Sequence, residues 1–295
     1  MASPRPFVEA FARGASHAYK SYPIKKRTGG TREINHPSKQ LKGLQRWLLA
    51  NVIEGLPVHP AATAYQKGKS IFDNAAVHAN SKFLLRMDFT NFFPSITEGD
   101  LKRYIRERSL LFTEWTTLDI DVFCRLLCRK SALTIGAPTS PGISNAICYD
   151  MDSAITTLCI ARNVAYTRYA DDLFFSTRSR DVLRPLEMDI STLIAGLQMP
   201  GHLAINAAKT RHSSKRRARR VTGIVLGCDG TPYIGRDLKR KIRAMIYQID
   251  SLDGPARLKL AGFLSYAVGF DPDFMNSLIT KYGHPLMRKA RTPSI

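Results

Sequence analysis

Apolar residues crowd Lys82–Phe89 (KFLLRMDF) in a run too short for a helix, so the stretch predicts a buried strand with Asp88 near its end. Upstream, Leu41, Leu44, Leu48 and Val52 recur at helical spacing and predict an amphipathic helix after the basic loop KKRTGGTR. Thr97 with Asp100 three residues on has the pattern of a capping box opening a helix around LKRYIRERS, and a second helix is expected over 117–129. The loop GAPTSPG (136–142) is dense in turn residues. Ser140 suits an N-cap and Pro141 the first helical position, where its missing N–H costs nothing. A helix should then run through ISNAICYDMDSAITTLCI. Two β-rich halves flank Ala170-Asp171-Asp172 in VAYTRYADDLFFST (164–177), which predicts a hairpin with acids at its tip. A helix near 181–198, a short strand at HLAIN, a basic loop, a strand at VTGIVLG and helices from about 236 complete the chain. In the first of these last helices Leu238, Ile242, Met245 and Ile249 share one apolar face. Long strands separated by helices in irregular order argue for an α+β class rather than a doubly wound sheet.

Composition narrows the class. The 295 residues suffice for one large domain or two to three subdomains, and 44% hydrophobic with 23% charged residues excludes wholesale disorder. No run of about 18 apolar residues occurs, so no membrane span is expected, and MASPRPFVEAFARGAS lacks the apolar core of a signal peptide. The five cysteines are odd in number and none forms C-x-x-C, which points to a reducing cytoplasm rather than to disulfides or structural zinc. The net charge of +20 calls for a polyanionic partner. It is unevenly placed: Lys209–Arg243 holds 12 basic and 2 acidic residues, and residues 1–46 hold 10 and 2. Charge alone leaves open the plainer reading of a solvated basic surface or a ribosomal-type RNA-binding protein.

The acids change the balance. A lone Asp at a strand end, or two in a turn, are ordinary turn formers. Asp88 and the pair Asp171-Asp172, however, lie in segments too apolar for surface loops, where carboxylates without a cation are costly. Hard oxygen ligands from separate strands suit Mg²⁺. Two such ions would serve phosphoryl transfer, with Asp88, Asp171 and the Phe89 carbonyl as ligands and Asp172 supporting the ion nearer the primer.

MDFTNFFPSI (87–96), GAPTSPGISN (136–145) and TRYADDLFFS (167–176), in that order, resemble the palm motifs lettered A, B and C of reverse transcriptases. INAAKTR (205–211) resembles motif D, RRVTGIVLG (219–227) the entry to the thumb, and residues 22–49 the finger segment of bacterial members. Asn74-Ala75-Ala76-Val77-His78 and Val221-Thr222-Gly223 are similar to the N-A-x-x-H and V-T-G elements of retron enzymes. The resemblance implies a right-hand polymerase with fingers over 1–82 and part of 98–135, palm over 83–228 and thumb over 229–295. It also implies RNA-templated DNA synthesis from deoxynucleoside triphosphates with Mg²⁺, or Mn²⁺ in its place. The partners implied are a structured noncoding RNA as template and primer, an RNA-linked DNA product, host RNase H, and a separate effector in defence against phage. A reverse transcriptase from a group II intron or another defence locus, and a non-catalytic RNA scaffold, are the alternatives.

By the same resemblance Lys25 and Arg32 reach the incoming triphosphate, Phe93 acts as the sugar gate, Gly136 lets the backbone approach the new base pair, and Lys209 neutralises pyrophosphate. Phe92 and Phe93 are both candidates for the core, and Lys209 reads equally well as a surface phosphate-binding lysine. Many relatives carry Gln before this glycine where the chain has Ile135. RNA contacts are expected from Asn74, His78, the run KRRARR with Lys215, Arg216 and Arg217, from Val221, Thr222 and Gly223, and from Lys239, Arg240 and Arg243 on a thumb helix. About 60 residues follow Gly235, so no nuclease domain is expected after the thumb.

Overall fold

The computed structural model describes residues 5–25 and 29–292. In chain order these form α1 (Arg5–Gly14), β1 (Tyr19–Lys25), β2 (Thr31–Pro37), α2 (Lys39–Asn51), α3 (Ile71–His78), β3 (Phe83–Asp88), α4 (Glu98–Glu107) and α5 (Thr117–Leu127). Next come α6 (Ser140–Ile147), α7 (Tyr149–Ile160), β4 (Ala165–Tyr169), β5 (Asp172–Thr177), α8 (Leu183–Ala195) and β6 (Arg211–Ser214). The chain ends with β7 (Arg219–Val221), β8 (Ile224–Leu226), β9 (Pro232–Tyr233), α9 (Arg236–Tyr247), α10 (Gly254–Phe270) and α11 (Pro272–Arg291). The sheets have the orders β1-β2, β4-β5-β3-β6 and β7-β8-β9. Mixed helices and antiparallel strands make this the expected α+β class.

Two compact units divide the chain, the first drawn from 1–68, 85–175 and 181–211, the second from 69–84, 176–180 and 212–295. In the first, Leu41, Gln45 and Leu48 form the buried stripe of α2, which starts at Ser38, whose side chain accepts from the Leu41 N–H. Thr97 and Asp100 form the expected capping box of α4, and Thr116 and Asp119 form one for α5. Each satisfies two backbone N–H groups that a helix start would otherwise leave open, worth about 1 kcal/mol. The second unit has its own core, where Ile242 and Ile246 of α9 meet Leu260, Leu264 and Leu278.

Four local expectations are corrected. Ser140 lies inside the first turn of α6 and its hydroxyl donates to the Thr134 carbonyl at 2.8 Å, so it does not cap. The long helix after it is two helices, because Cys148 leaves helical geometry at ψ 5. HLAIN forms no strand beyond a single bridge between Phe89 and Ile205. The stretch VTGIVLG is not one strand but the turn and return of a hairpin: Thr222 and Gly223 have φ of 48° and 89°, and two successive positive φ values reverse the chain between β7 and β8.

Candidate functional site

Asp88 closes β3, and hydrogen bonds bracket it on both sides. The Phe89 N–H donates to the Asp171 carbonyl at 3.0 Å, while the Asn206 N–H donates to the Asp88 carbonyl at 2.7 Å. The first bond puts Asp88 and Asp171 on adjoining backbone, and the second carries the segment before Lys209 to the same place. The Lys209 ammonium lies 2.6 Å from Asp88 Oδ1, and the Asp88 side chain is only 5% exposed. Arg86, two residues earlier and therefore on the same face of the strand, donates from Nε and Nη2 to Asp172 Oδ1 at 3.0 and 2.7 Å.

The electrostatics follow from this crowding. Burial raises the Asp171 carboxyl above its ordinary range, and the charge of Asp88 adds to the rise. Asp172 is pushed up to about 6, by burial first, even though Arg86 pulls it down. Among the described residues no trio of acidic, histidine or cysteine side chains closes into a ready metal cage. Instead Asp88 and Asp172 are each taken up by a cationic side chain. The donor set nonetheless fits a hard divalent ion: beside Asp88, the Asp171 and Asp172 carboxyls are made more basic by burial and by neighbouring negative charge, and such ions need few protein ligands.

The hairpin tip is held from below. Ala170 has φ 56, a left-handed conformation that costs a side-chain-bearing residue energy and needs support. Arg168, fully enclosed, supplies it by donating from Nη1 to the Ala170 carbonyl at 3.3 Å and to Asn145 Oδ1 at 3.1 Å. Its Nε and Nη2 donate to Asp152 at 2.9 and 2.7 Å, and the Tyr166 hydroxyl donates to Asp152 at 2.7 Å. Thus α6, α7 and the hairpin meet through one buried polar network. Asp152 was not among the expected site residues; an acid within the apolar run of α7 was the available signal.

Lys25 and Arg32 lie at the loop end of the β1–β2 hairpin, in register with Thr31 and Ile24, and both are exposed. The loop residues 26–28 lie outside the described residues. Phe92 is 5% exposed and stacks on Phe89 with ring centroids 5.6 Å apart, whereas Phe93 keeps part of its surface free. Phe92 is therefore the core residue and Phe93 the one available to a ligand. Gly136 (φ 112) is required by packing, because a Cβ there would stand 2.5 Å from the Asn35 carbonyl oxygen, where β2 crosses the loop. Tyr65 went unforeseen. It is 52% exposed at φ 62, and its phenol is raised by partial burial and by the charge of Asp171. Nothing in the sequence marks a left-handed tyrosine.

A family model described as reverse transcriptase (RNA-dependent DNA polymerase) matches residues 24–226. The retron Ec83 reverse transcriptase of Escherichia coli is 34% identical over 287 residues, covering 95% of this chain and 91% of that protein. The chain belongs to the retron-type reverse transcriptases. The retron Ec86 enzyme of Escherichia coli is 32% identical over 94% of this chain and 87% of its own length. Among solved structures, apo telomerase from Candida Tropicalis aligns with TM-score 0.55 at 12% identity, over 95% of this chain and 61% of that one. A foamy viral protease-reverse transcriptase in complex with ds DNA aligns with TM-score 0.52 at 15% identity, over 94% and 40%. Those likenesses carry the right-hand polymerase fold. The retron-type chain is an RNA-directed DNA polymerase with an RNA template as partner, from a family that works with divalent metal ions.

In this reverse transcriptase the expected RNA set divides by burial. Asn74, His78 and Val221 have no exposed surface, so their side chains pack rather than touch RNA. Arg219, within the basic run, is 1% exposed. Its guanidinium donates to the carbonyls of His78, Ala79 and Ser81 at the end of α3, and to Gly227 at 2.8 Å. The two retron-like elements are thereby clasped together, with the Thr222 hydroxyl bonded to Ile71 O at 3.2 Å and Gly223 at the exposed turn. Arg216, Arg217 and Arg240 remain exposed. Lys239 is taken up by Asp271 at 2.6 Å, and Arg243 lies over the Phe274 ring at 5.0 Å. Among the described residues no helix is long and apolar enough to cross a membrane. All five cysteines are free, and only Cys228 is exposed.

Proposed function

We propose that the enzyme copies a cognate structured noncoding RNA, serving as both template and primer, into DNA that stays covalently joined to the RNA. Fingers over 1–82 with part of 98–135, palm over 83–228 and thumb over 229–295 carry the work. The observation behind this reading is the bond from the Phe89 N–H to the Asp171 carbonyl, which joins the acids of two distant segments at one corner.

Asp88, Asp171 and Asp172, with the Phe89 carbonyl, are the groups to hold a pair of divalent cations. When bound, such ions supply charge to activate the attacking hydroxyl and to stabilise the departing pyrophosphate. Magnesium fits the all-oxygen set, and manganese can replace it. Lys25 and Arg32 bind the triphosphate. Phe93 excludes a 2′-hydroxyl by steric repulsion, selecting deoxynucleotides. Lys209 leaves Asp88 to place a proton or positive charge at the pyrophosphate oxygens. Arg216, Arg217 and Arg240 hold RNA by its phosphates, and so does Lys215. Host RNase H trims the RNA, and the product with a separate effector serves defence against phage.

Expression of the gene with its native flanking sequence tests this reading. A DNA species that shortens under RNase and carries a residual branched ribonucleotide supports it. A linear DNA free of RNA would assign the chain to another bacterial system.

A further inference from the structure

The second unit holds a cavity of about 520 Å³ lined by five cations, Lys82, Arg178, Arg180, Lys215 and Arg216, of which the reading above uses only the last two. They come from three segments, at the start of β3, after β5 and after β6. Backbone bonds tie these segments: the Lys82 N–H donates to the Thr177 carbonyl at 3.0 Å, and the Lys215 N–H to the Lys82 carbonyl at 2.9 Å. Among the described residues no carboxylate lines the cavity. Lys215 and Arg178 donate to the neutral carbonyls of Cys228 and Asn80, at 2.9 and 3.3 Å.

Five like charges gathered with no acid among them repel one another, and a bound polyanion relieves that repulsion. The other two lining residues narrow its class. Ser214 adds a hydroxyl donor, and Phe83 offers an aromatic surface beside the cations. Cations with one aromatic face are what an unpaired nucleic-acid strand uses, its phosphates on the charges and a base on the ring. A duplex would leave the ring without a base.

We propose that this cavity grips a single-stranded segment of the RNA partner, outside the catalytic corner, with a base against Phe83. This grip rests on the RNA reading given above, and it adds Lys82, Phe83, Arg178 and Arg180 to the RNA-binding residues expected from sequence.

The test uses the full chain and a labelled hairpin RNA with a single-stranded tail containing 4-thiouridine. Irradiation of the wild-type complex should crosslink the tail to the peptide carrying Phe83. The double variant Lys82→Gln/Arg180→Gln should lose that crosslink, and its plot of log affinity against log salt should flatten by about 0.7 per lost contact. Extension of oligo(dT) on poly(rA) should be unchanged in the variant. If wild type extends normally but no crosslink maps to the cavity, the site is overturned while the polymerase reading stands. Absent extension in wild type with the crosslink present would break the polymerase reading alone. An equal flattening with fully duplex DNA would mark a general polyanion patch and overturn the assignment. So would displacement of the tail by an acidic phosphopeptide from wild type but not from the variant.

Discussion

The Lys209 ammonium sits 2.6 Å from Asp88 Oδ1, so the lysine already holds the carboxylate assigned above to a proposed divalent ion. On that proposal ion binding and this pair compete. Lys209→Met should lower the Mg²⁺ concentration that gives half-maximal incorporation. It should also slow incorporation at saturating Mg²⁺ by roughly a hundredfold, the scale of a lost proton donor. Metal titrations of single-nucleotide incorporation check both changes. An unchanged metal midpoint would separate Lys209 from the ion site.

The network beneath the hairpin predicts a stability effect of a different size. Asp152 and Arg168 are both fully enclosed and 2.7 Å apart. Asp152→Ala should destabilise the fold by about 3–5 kcal/mol, because it leaves a buried guanidinium without its counter-charge. Denaturant unfolding measures the loss, which should far exceed that of removing the exposed partner in the Lys67–Glu54 pair.

His78 gives a pH dependence with a definite sign. Its ring is enclosed 2.8 Å from the Ser176 hydroxyl, and burial pushes its pKa down to about 3. In the unfolded chain it returns to about 6.5, so between those values only the unfolded state takes the proton. Its contribution is complete above about 6.5 and should fall by up to about 1.4 kcal/mol per pH unit as acid is added. Wild type should lose stability on acidification more steeply than His78→Asn, measured by denaturant midpoints across that window.

Gly136→Ala should cost about 1–3 kcal/mol, since the new Cβ would meet the Asn35 carbonyl at 2.5 Å on a backbone already at φ 112. The same variant checks whether glycine is required for packing rather than for the nucleotide. Loss of thermal stability with an unchanged KM for nucleotide is the expected pattern.

Much of the fold and of the acidic corner is legible in the sequence. The YADD hairpin is visible because β-rich halves on both sides make the acids a tip, and the cap of α4 follows from spacing alone. Breaks inside continuous apolar pattern are not: nothing distinguishes Cys148 from its helical neighbours, and the turn at Thr222-Gly223 hides in a β-rich run. Burial of polar side chains also escapes. Asn74 and His78 read as RNA ligands from their likeness to the retron N-A-x-x-H element, yet α3 faces them inward, where Arg219 closes the helix end. Lys209 and Asp88 are too far apart in sequence for any local rule to pair them.

On the proposed mechanism catalysis depends on Asp88, Asp171 and Asp172, and one substitution interrogates that assignment directly. Asp171→Asn keeps the shape of the side chain and removes its charge. With Mg²⁺ present, incorporation should be abolished while affinity for RNA stays close to that of wild type. Full incorporation by that variant would contradict the assignment of Asp171 as a metal ligand.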